Sequence, residues 1–311
     1  NMDLVVEVPT IPLPGETVLG KNFATFPGGK GANQAVAAAR LGAQVSLIGR
    51  VAQDAFGDQL LASAQAAGID VTHVGRDEKA ATGVAMIVVD EKGQNSIAVA
   101  SGANFCLTAE QVREAWAALE DVDLLVMPLE TPLDTIQTAV DLANESGATV
   151  VLNPAPARQL PAQILAGVDV LVPNEPETAQ LTGMPIDTPQ ESRAAAEKLL
   201  ALGVGNVVLT LGSRGALALS GSTGSPAPEL VEGMEGVEED PAIALVPARQ
   251  VEVVDTTAAG DAFVAGLAVG LGEGKSLVEA TQFANAVGAL AVTKQGAQPG
   301  MPSREEVEIL F

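Results

Sequence analysis

From Leu124 onward the sequence alternates two kinds of pattern, and that alternation limits the fold more than any other feature. Short apolar runs at Leu124–Met127, 149–152, 168–172 and 207–210 alternate with helical periodicity at 133–146, 176–181, 188–202 and 260–270. A run that is apolar on nearly every residue is buried on both faces, and strands that run the same way need a crossover between them. The pattern therefore predicts right-handed βαβ units and a mostly parallel sheet with helices on both faces, an α/β fold.

The first hundred residues read differently. Residues 3–8 begin as a strand almost at once, and Pro9, Pro12, Pro14 and Gly15 turn the chain before a second short strand at 18–26. Residues 82–89 and 96–100 alternate around Asp90-Glu91-Lys92-Gly93, a hairpin signal. No helix accompanies these segments, so 4–28 and 81–102 are expected to form a small sheet of their own beside a core of 29–80 and 103–311. Within that core, helices are expected at 32–41 and 56–67 and a strand at 45–49. Residues 220–241, rich in Gly, Pro and Ser and then acidic, are expected to be a mobile surface insertion. The chain opens on Asn rather than Met, and a natural start upstream is expected.

Composition removes several function classes. Sixteen Lys and Arg against 39 Asp and Glu give a net charge of −23, which disfavours nucleic acid and anionic membranes as partners. An apolar content of 47% excludes a disordered chain. One cysteine, Cys106, excludes a disulfide framework, and one histidine, His73, excludes a two-histidine mechanism within a single chain. A general base here is therefore expected to be a carboxylate. Without an unbroken apolar run of spanning length or a signal-peptide pattern, a soluble cytoplasmic protein is expected.

Four segments carry chemistry. In Val253-Val254-Asp255-Thr256-Thr257-Ala258-Ala259-Gly260-Asp261 a strand gives way to small residues and then to a helix, whose first N–H groups make an anion site. Ala258, Ala259 and Gly260 allow close approach of an oxyanion, and Asp261 at the mouth can take a proton from a hydroxyl nucleophile; it can equally be an ordinary first-turn acid. Gly28-Gly29-Lys30-Gly31-Ala32-Asn33 is a glycine-rich helix opening that matches neither a Walker loop nor GxGxxG. Asn174-Glu175-Pro176-Glu177 fits either a capping box or a pair of groups facing a hydrated Mg²⁺. Thr210-Leu211-Gly212-Ser213-Arg214-Gly215 is a strand end that could cradle a nucleotide or simply turn. His73 reads as a surface histidine and Cys106 as a small apolar residue.

Taken together, and in this order, these motifs resemble the ribokinase family of PfkB-type sugar kinases across essentially the whole chain. Residues 255–261 are similar to the family's C-terminal signature, and Gly28-Gly29-Lys30-Gly31-Ala32-Asn33-Gln34-Ala35 to its N-terminal one. Asn153-Pro154-Ala155-Pro156-Ala157, Pro173-Asn174-Glu175, 210–215 and Gly296-Ala297-Gln298-Pro299 add to the likeness. The resemblance implies ATP-dependent phosphorylation of the 5-hydroxyl of D-ribose, with another sugar or nucleoside kinase, or a non-catalytic sugar-binding protein, as alternatives. It implies Asp261 as base, with Ala258, Ala259 and Gly260 as anion hole. Asn1, Asp3, Gly29, Lys30, Gly31, Asn33, Glu130 and Asp261 itself would bind the sugar. ATP would lie on Asn174, Thr210, Leu211, Gly212, Ser213, Arg214, Gly215, Gly260 and Asn285, with Glu177 organising Mg²⁺. Asp255, Thr257, Ala291, Lys294, Gly296 and Gly300 would surround a monovalent cation, K⁺ by preference, mostly through main-chain oxygens. The small sheet would be a lid that also forms a homodimer. Three departures stand out: the family's first core strand would precede Asn1, Gly300 stands where a Ser is frequent, and Ala52 stands where the first signature usually ends in Gly.

Overall fold

The structure is a computed structural model that describes residues 1–221 and 243–310. In chain order its elements are β1 (Met2–Glu7), β2 (Asn22–Pro27), α1 (Lys30–Arg40), β3 (Gly49–Ala52), α2 (Ala55–Ala66), β4 (Val74–Asp77), β5 (Val84–Val89), β6 (Asn95–Ala100), α3 (Ala109–Ala117), β7 (Leu124–Met127), α4 (Leu133–Ser146), β8 (Thr149–Leu152), α5 (Ala162–Ala166) and β9 (Val170–Leu171). They continue with α6 (Glu175–Thr182), α7 (Pro189–Ala201), β10 (Asn206–Thr210), β11 (Ala216–Ser220), β12 (Ile243–Val246), α8 (Ala259–Gly272), α9 (Leu277–Ala291), α10 (Ala297–Gly300) and α11 (Arg304–Leu310).

The larger sheet has the order β12-β11-β10-β9-β8-β7. β7, β8, β9 and β10 run parallel, while β11 and β12 add an antiparallel edge. On one face α4, α5 and α7 bury Ile136, Val140, Ile164 and Leu199 against Leu152, Leu171 and Leu209. On the other, Phe263, Val264 and Leu267 of α8 and Ala280 and Ala284 of α9 cover Val151, Val170 and Val208. Alternate residues of one strand thus enter opposite cores, which is why these strands read as unbroken apolar runs. A third cluster joins α1 to α8 and α9 through Val36, Ala37, Ala262, Ala265 and Val287. Small residues at this contact let the helix openings of α1 and α8 lie side by side.

The smaller sheet has the order β2-β1-β5-β6, with β1 parallel to β5 and the outer pairs antiparallel. Its strands fall within the 4–28 and 81–102 segments, apart from the two residues that β1 gains at its start. Asp54 ties its base to the core: this residue caps α2 by accepting from Gly57 N (2.8 Å) and also accepts from Thr82 N (2.9 Å) and Thr82 Oγ1 (2.7 Å).

Several expected boundaries shift. The strand expected at 45–49 lies at Gly49–Ala52, because Val45 and Leu47 each exchange only one bond with Asp70 before the chain pairs with β4. The strand expected at 18–26 begins at Asn22, after the proline-rich turn has run longer, and the one at 168–172 contracts to Val170–Leu171. The insertion expected at 220–241 lies, from residue 222 on, outside the described residues. No helix among the described residues is long and apolar enough to cross a membrane.

Candidate active site

The ends of three parallel strands and the openings of three helices converge on one cleft. Its volume is about 230 Å³, and it is lined by Lys30, Asn153, Ala155, Val172, Asn174, Glu177, Thr210, Thr256, Ala258, Ala259, Gly260, Asp261 and Val264. Residues just beyond the C-terminal ends of β8, β9 and β10 form one wall, the usual location of a ligand site in an open α/β sheet.

The floor is Asp261, in the first turn of α8 and 5% exposed. Both its oxygens are held from the first turn of α1: Asn33 Nδ2 donates to Oδ2 (2.9 Å) and Gln34 Nε2 to Oδ1 (3.2 Å). Burial pushes the carboxyl above its usual range, against the pull of Lys30 and the two amide donors. The turn before it is unusual: Ala258 lies in the left-handed region at φ 58°, where a residue with a Cβ is strained by about 1–2 kcal/mol. Ala259 N–H points back to the Thr256 carbonyl (3.3 Å). The Gly260 and Asp261 amides, at the second and third helical positions, have no intrahelical acceptor by helix geometry and are the donors left for an anion.

A second group of polar side chains lies toward the small sheet. Glu130, just after β7, accepts from Asn1 Nδ2 (3.0 Å) and from Lys30 N (2.8 Å). Asn1 Oδ1 in turn accepts from Asn104 Nδ2 (2.6 Å). Asp3 lies so close to Gly28 that a Cβ there would fall 2.2 Å from its Oδ2, so any side chain at 28 would push the Asp3 carboxylate aside. Burial pushes the Asp3 carboxyl up to about 6, with Glu130 and Asp261 adding repulsion.

At the other end Asn174 and Glu177 form a reciprocal capping box on α6, with Glu177 Oε2 accepting from Asn174 N (2.9 Å) and Asn174 Oδ1 from Glu177 N (2.8 Å). The capping alternative is thus the one realised, yet both residues also line the cleft. Burial raises the Glu177 carboxyl despite the bond from Asn174. Thr210 lines the cleft, Leu211 to Gly215 close a tight turn beside it, and Arg214 pairs with Glu175. Asn285 does not line the cleft; its amide donates to the carbonyls of Val246 (3.0 Å) and Pro247 (3.2 Å) and so fixes the end of β12.

Behind the turn, Asp255 Oδ1 accepts from Thr257 N and Oγ1, and Oδ2 from Gly296 N (2.8 Å). These bonds outweigh burial and hold its carboxyl below the usual range. A Cβ on Gly300 would lie 3.2 Å from the Ala291 carbonyl oxygen and 3.5 Å from that of Lys294, so these two oxygens gather at Gly300. His73 lines a separate cavity with Gln111 and Glu114.

The sequence reading named Asn33, Lys30, Glu130 and Asp261 and passed over Gln34, Asn153, Asn104 and Thr256 as site residues. Gln34 and Thr256 had a signal in the two quoted signature segments, and Asn153 in the separately quoted 153–157 stretch. Asn104 had none, because it arrives from a short loop with no motif of its own.

A PfkB-family carbohydrate kinase model matches residues 1–304. The chain belongs to the pfkB family of carbohydrate kinases. It is 39% identical over 306 residues to a ribokinase of Haemophilus influenzae, covering 98% of this chain and 94% of that protein. It is 36% identical over 306 residues to a deoxyribokinase of Salmonella typhimurium, with the same coverage. The structure of Arabidopsis thaliana ribokinase complexed with ribose and ATP superposes with a TM-score of 0.80 at 33% identity, covering 100% of this chain and 95% of that one. The family and these relatives make the chain an ATP-dependent sugar kinase with the ribokinase-like α/β fold.

Proposed function

We propose that this kinase transfers the γ-phosphoryl group of ATP to the 5-hydroxyl of D-ribose. The observation that carries the reading is Asp261: a buried carboxylate, tethered through both oxygens, beside free amides at a helix opening and on the floor of a polar cleft. Its carboxylate takes the proton of the 5-hydroxyl as that oxygen bonds to the γ-phosphorus and the bond to the β-phosphate oxygen breaks, releasing ADP. The Gly260 and Asp261 amides and Lys30 face the charge that develops on the transferred group. Asn1, Asp3, Gly29, Gly31, Asn33 and Glu130 hold the sugar hydroxyls. Asn174, Thr210 and the 211–215 turn hold the nucleotide, with Asn285 shaping the wall behind it.

No group of three or more His, Cys, Asp or Glu side chains among the described residues is arranged to hold a metal ion. The donor set therefore suits a Mg²⁺ held chiefly by the nucleotide's phosphates and water, with Glu177 as an outer anchor. It would neutralise charge on the phosphates. The Ala291 and Lys294 carbonyls and the Asp255 carboxylate suit a K⁺-like cation that stiffens the 255–260 turn. The small sheet serves as the lid over the sugar. Its exposed Phe23, Met86, Ile97 and Val99 fit a second copy of the chain as a homodimer. A cytoplasmic setting supplies the ATP.

A phosphorylated sugar fits less well, because the lid segments offer only Lys21 and Lys92 and Lys21 is paired with Glu91. A nucleoside would call for stacking rings, and those segments carry only Phe23 and Phe26. A second reading, 2-deoxyribose as acceptor, has the deoxyribokinase relative in its favour. Coupled ADP release measured with ribose, 2-deoxyribose, fructose, adenosine and fructose 6-phosphate decides among them. Ribose is expected to give the highest kcat/KM; a tenfold preference for any other acceptor overturns the assignment.

A further inference from the structure

We propose that Gln34 is a positioning residue for phosphoryl transfer, its side-chain amide tethering Oδ1 of Asp261 to Asn153. The proposal rests on the reading of Asp261 as the base. Gln34 is 3% exposed and does not line the cleft, so it has no route to the substrate. Its Nε2 lies 3.2 Å from Asp261 Oδ1 and 3.3 Å from Asn153 Oδ1, one N–H for each. Asn153 is itself fixed, since its Nδ2 donates to the Val172 carbonyl at 2.9 Å. A continuous chain thus runs from the backbone after β9, through Asn153 and Gln34, to the carboxylate on α8.

The other end of the amide is telling. Gln34 Oε1 is buried with no hydrogen-bond partner. An orphaned acceptor costs stability, and an apolar side chain of the same size would fill the space without that cost. Turning the amide over would bring its oxygen against an ionised carboxylate. The donor end therefore faces Asp261 as long as Asp261 is charged.

The consequence concerns the proton. Asp261 is faced by Lys30 from α1, Glu130 from the loop after β7, Asp3 from β1 and Glu177 from α6: one cation against three carboxylates. In that field the donors on the carboxylate favour its ionised form, the form a general base needs. Without Gln34 the carboxylate gains proton affinity and turns more freely, while the sugar contacts are untouched.

The test is the pH dependence of kcat/KM for the sugar at saturating ATP and Mg²⁺. Gln34→Met keeps the size and removes the donor; its acid limb is expected to move up by about one pH unit, with activity recovering at higher pH and sugar KM within about twofold. Gln34→Glu puts an acid against Asp261 and is expected to move the limb further. Gln34→Asn keeps the amide but falls one methylene short, and is expected to behave like Gln34→Met; it carries the test if a bulkier change prevents folding, as judged by circular dichroism. A merely structural role lowers kcat alike at every pH. Folded variants whose acid limb stays at the wild-type position overturn the tether. Asp261→Asn separates the two readings: an active Asp261→Asn removes the base itself, whereas an inactive one beside pH-insensitive Gln34 variants removes only the tether.

Discussion

Asp261 shows how opposed effects set the state of one residue. Burial favours the neutral acid, and Lys30, Asn33 and Gln34 favour the carboxylate. Asp261→Asn preserves shape and burial but has no lone pair basic enough to take the proton. Turnover is expected to fall by about 10²–10⁴-fold while nucleotide and sugar binding change little. Steady-state kinetics with isothermal titration of each ligand check this; more than half the wild-type kcat in the variant removes Asp261 as base. At the same scale Glu177 shows that structural and functional readings of a residue need not compete. It caps α6 and also lines the cleft.

At the scale of elements, α8 joins a strained start to an apolar body. Ala258 holds a left-handed conformation so that the amides after it face the cleft rather than continue the preceding turn. Gly260 has ordinary backbone angles, and a Cβ on it would meet nothing within 4 Å. The protein therefore does not need glycine there for its own packing. Gly260→Ala is expected to leave stability unchanged or raise it by up to about 1 kcal/mol, because alanine is the better helix former. The added methyl stands in the cleft, so kcat/KM for ATP is expected to drop at least tenfold. Thermal unfolding beside kinetics checks both halves, and full activity would show that the anion does not approach this backbone. The parallel strands and helices α1, α2, α4, α6, α7 and α8 were legible because each of those strands enters two cores and most of those helices keep an apolar stripe. β4, β11 and β12 and the helices α3, α5, α9, α10 and α11 were not among the expected elements; β11 and β12 form an antiparallel edge outside the alternation of strand and helix. The carboxylate and both helix openings were legible from the glycine-rich and small-residue stretches that lead into helical periodicity. The Asn1–Glu130–Asn104 network was not, because its members lie up to 129 residues apart and meet only through the docking of the small sheet.

For the whole molecule the charge of −23 is the dominant long-range fact. The kinase must admit a nucleotide anion into a strongly negative surface. Lys30 and the opening of α8 act only inside the cleft, whereas net charge acts over the Debye length, about 30 Å at 0.01 M salt and about 8 Å at 0.15 M. At low salt the approaching anion therefore meets the repulsion of the whole protein first. Added salt screens that repulsion while leaving the close contacts inside the cleft largely intact. Nucleotide association is thus expected to quicken as an inert tetraalkylammonium salt rises over this range with K⁺ and Mg²⁺ held constant, the reverse of a basic nucleotide-binding protein. Stopped-flow measurement of nucleotide binding at several salt concentrations checks the sign. A rate that falls with salt would show that the local positive field of Lys30 and the α8 opening extends beyond the cleft and outweighs the global charge.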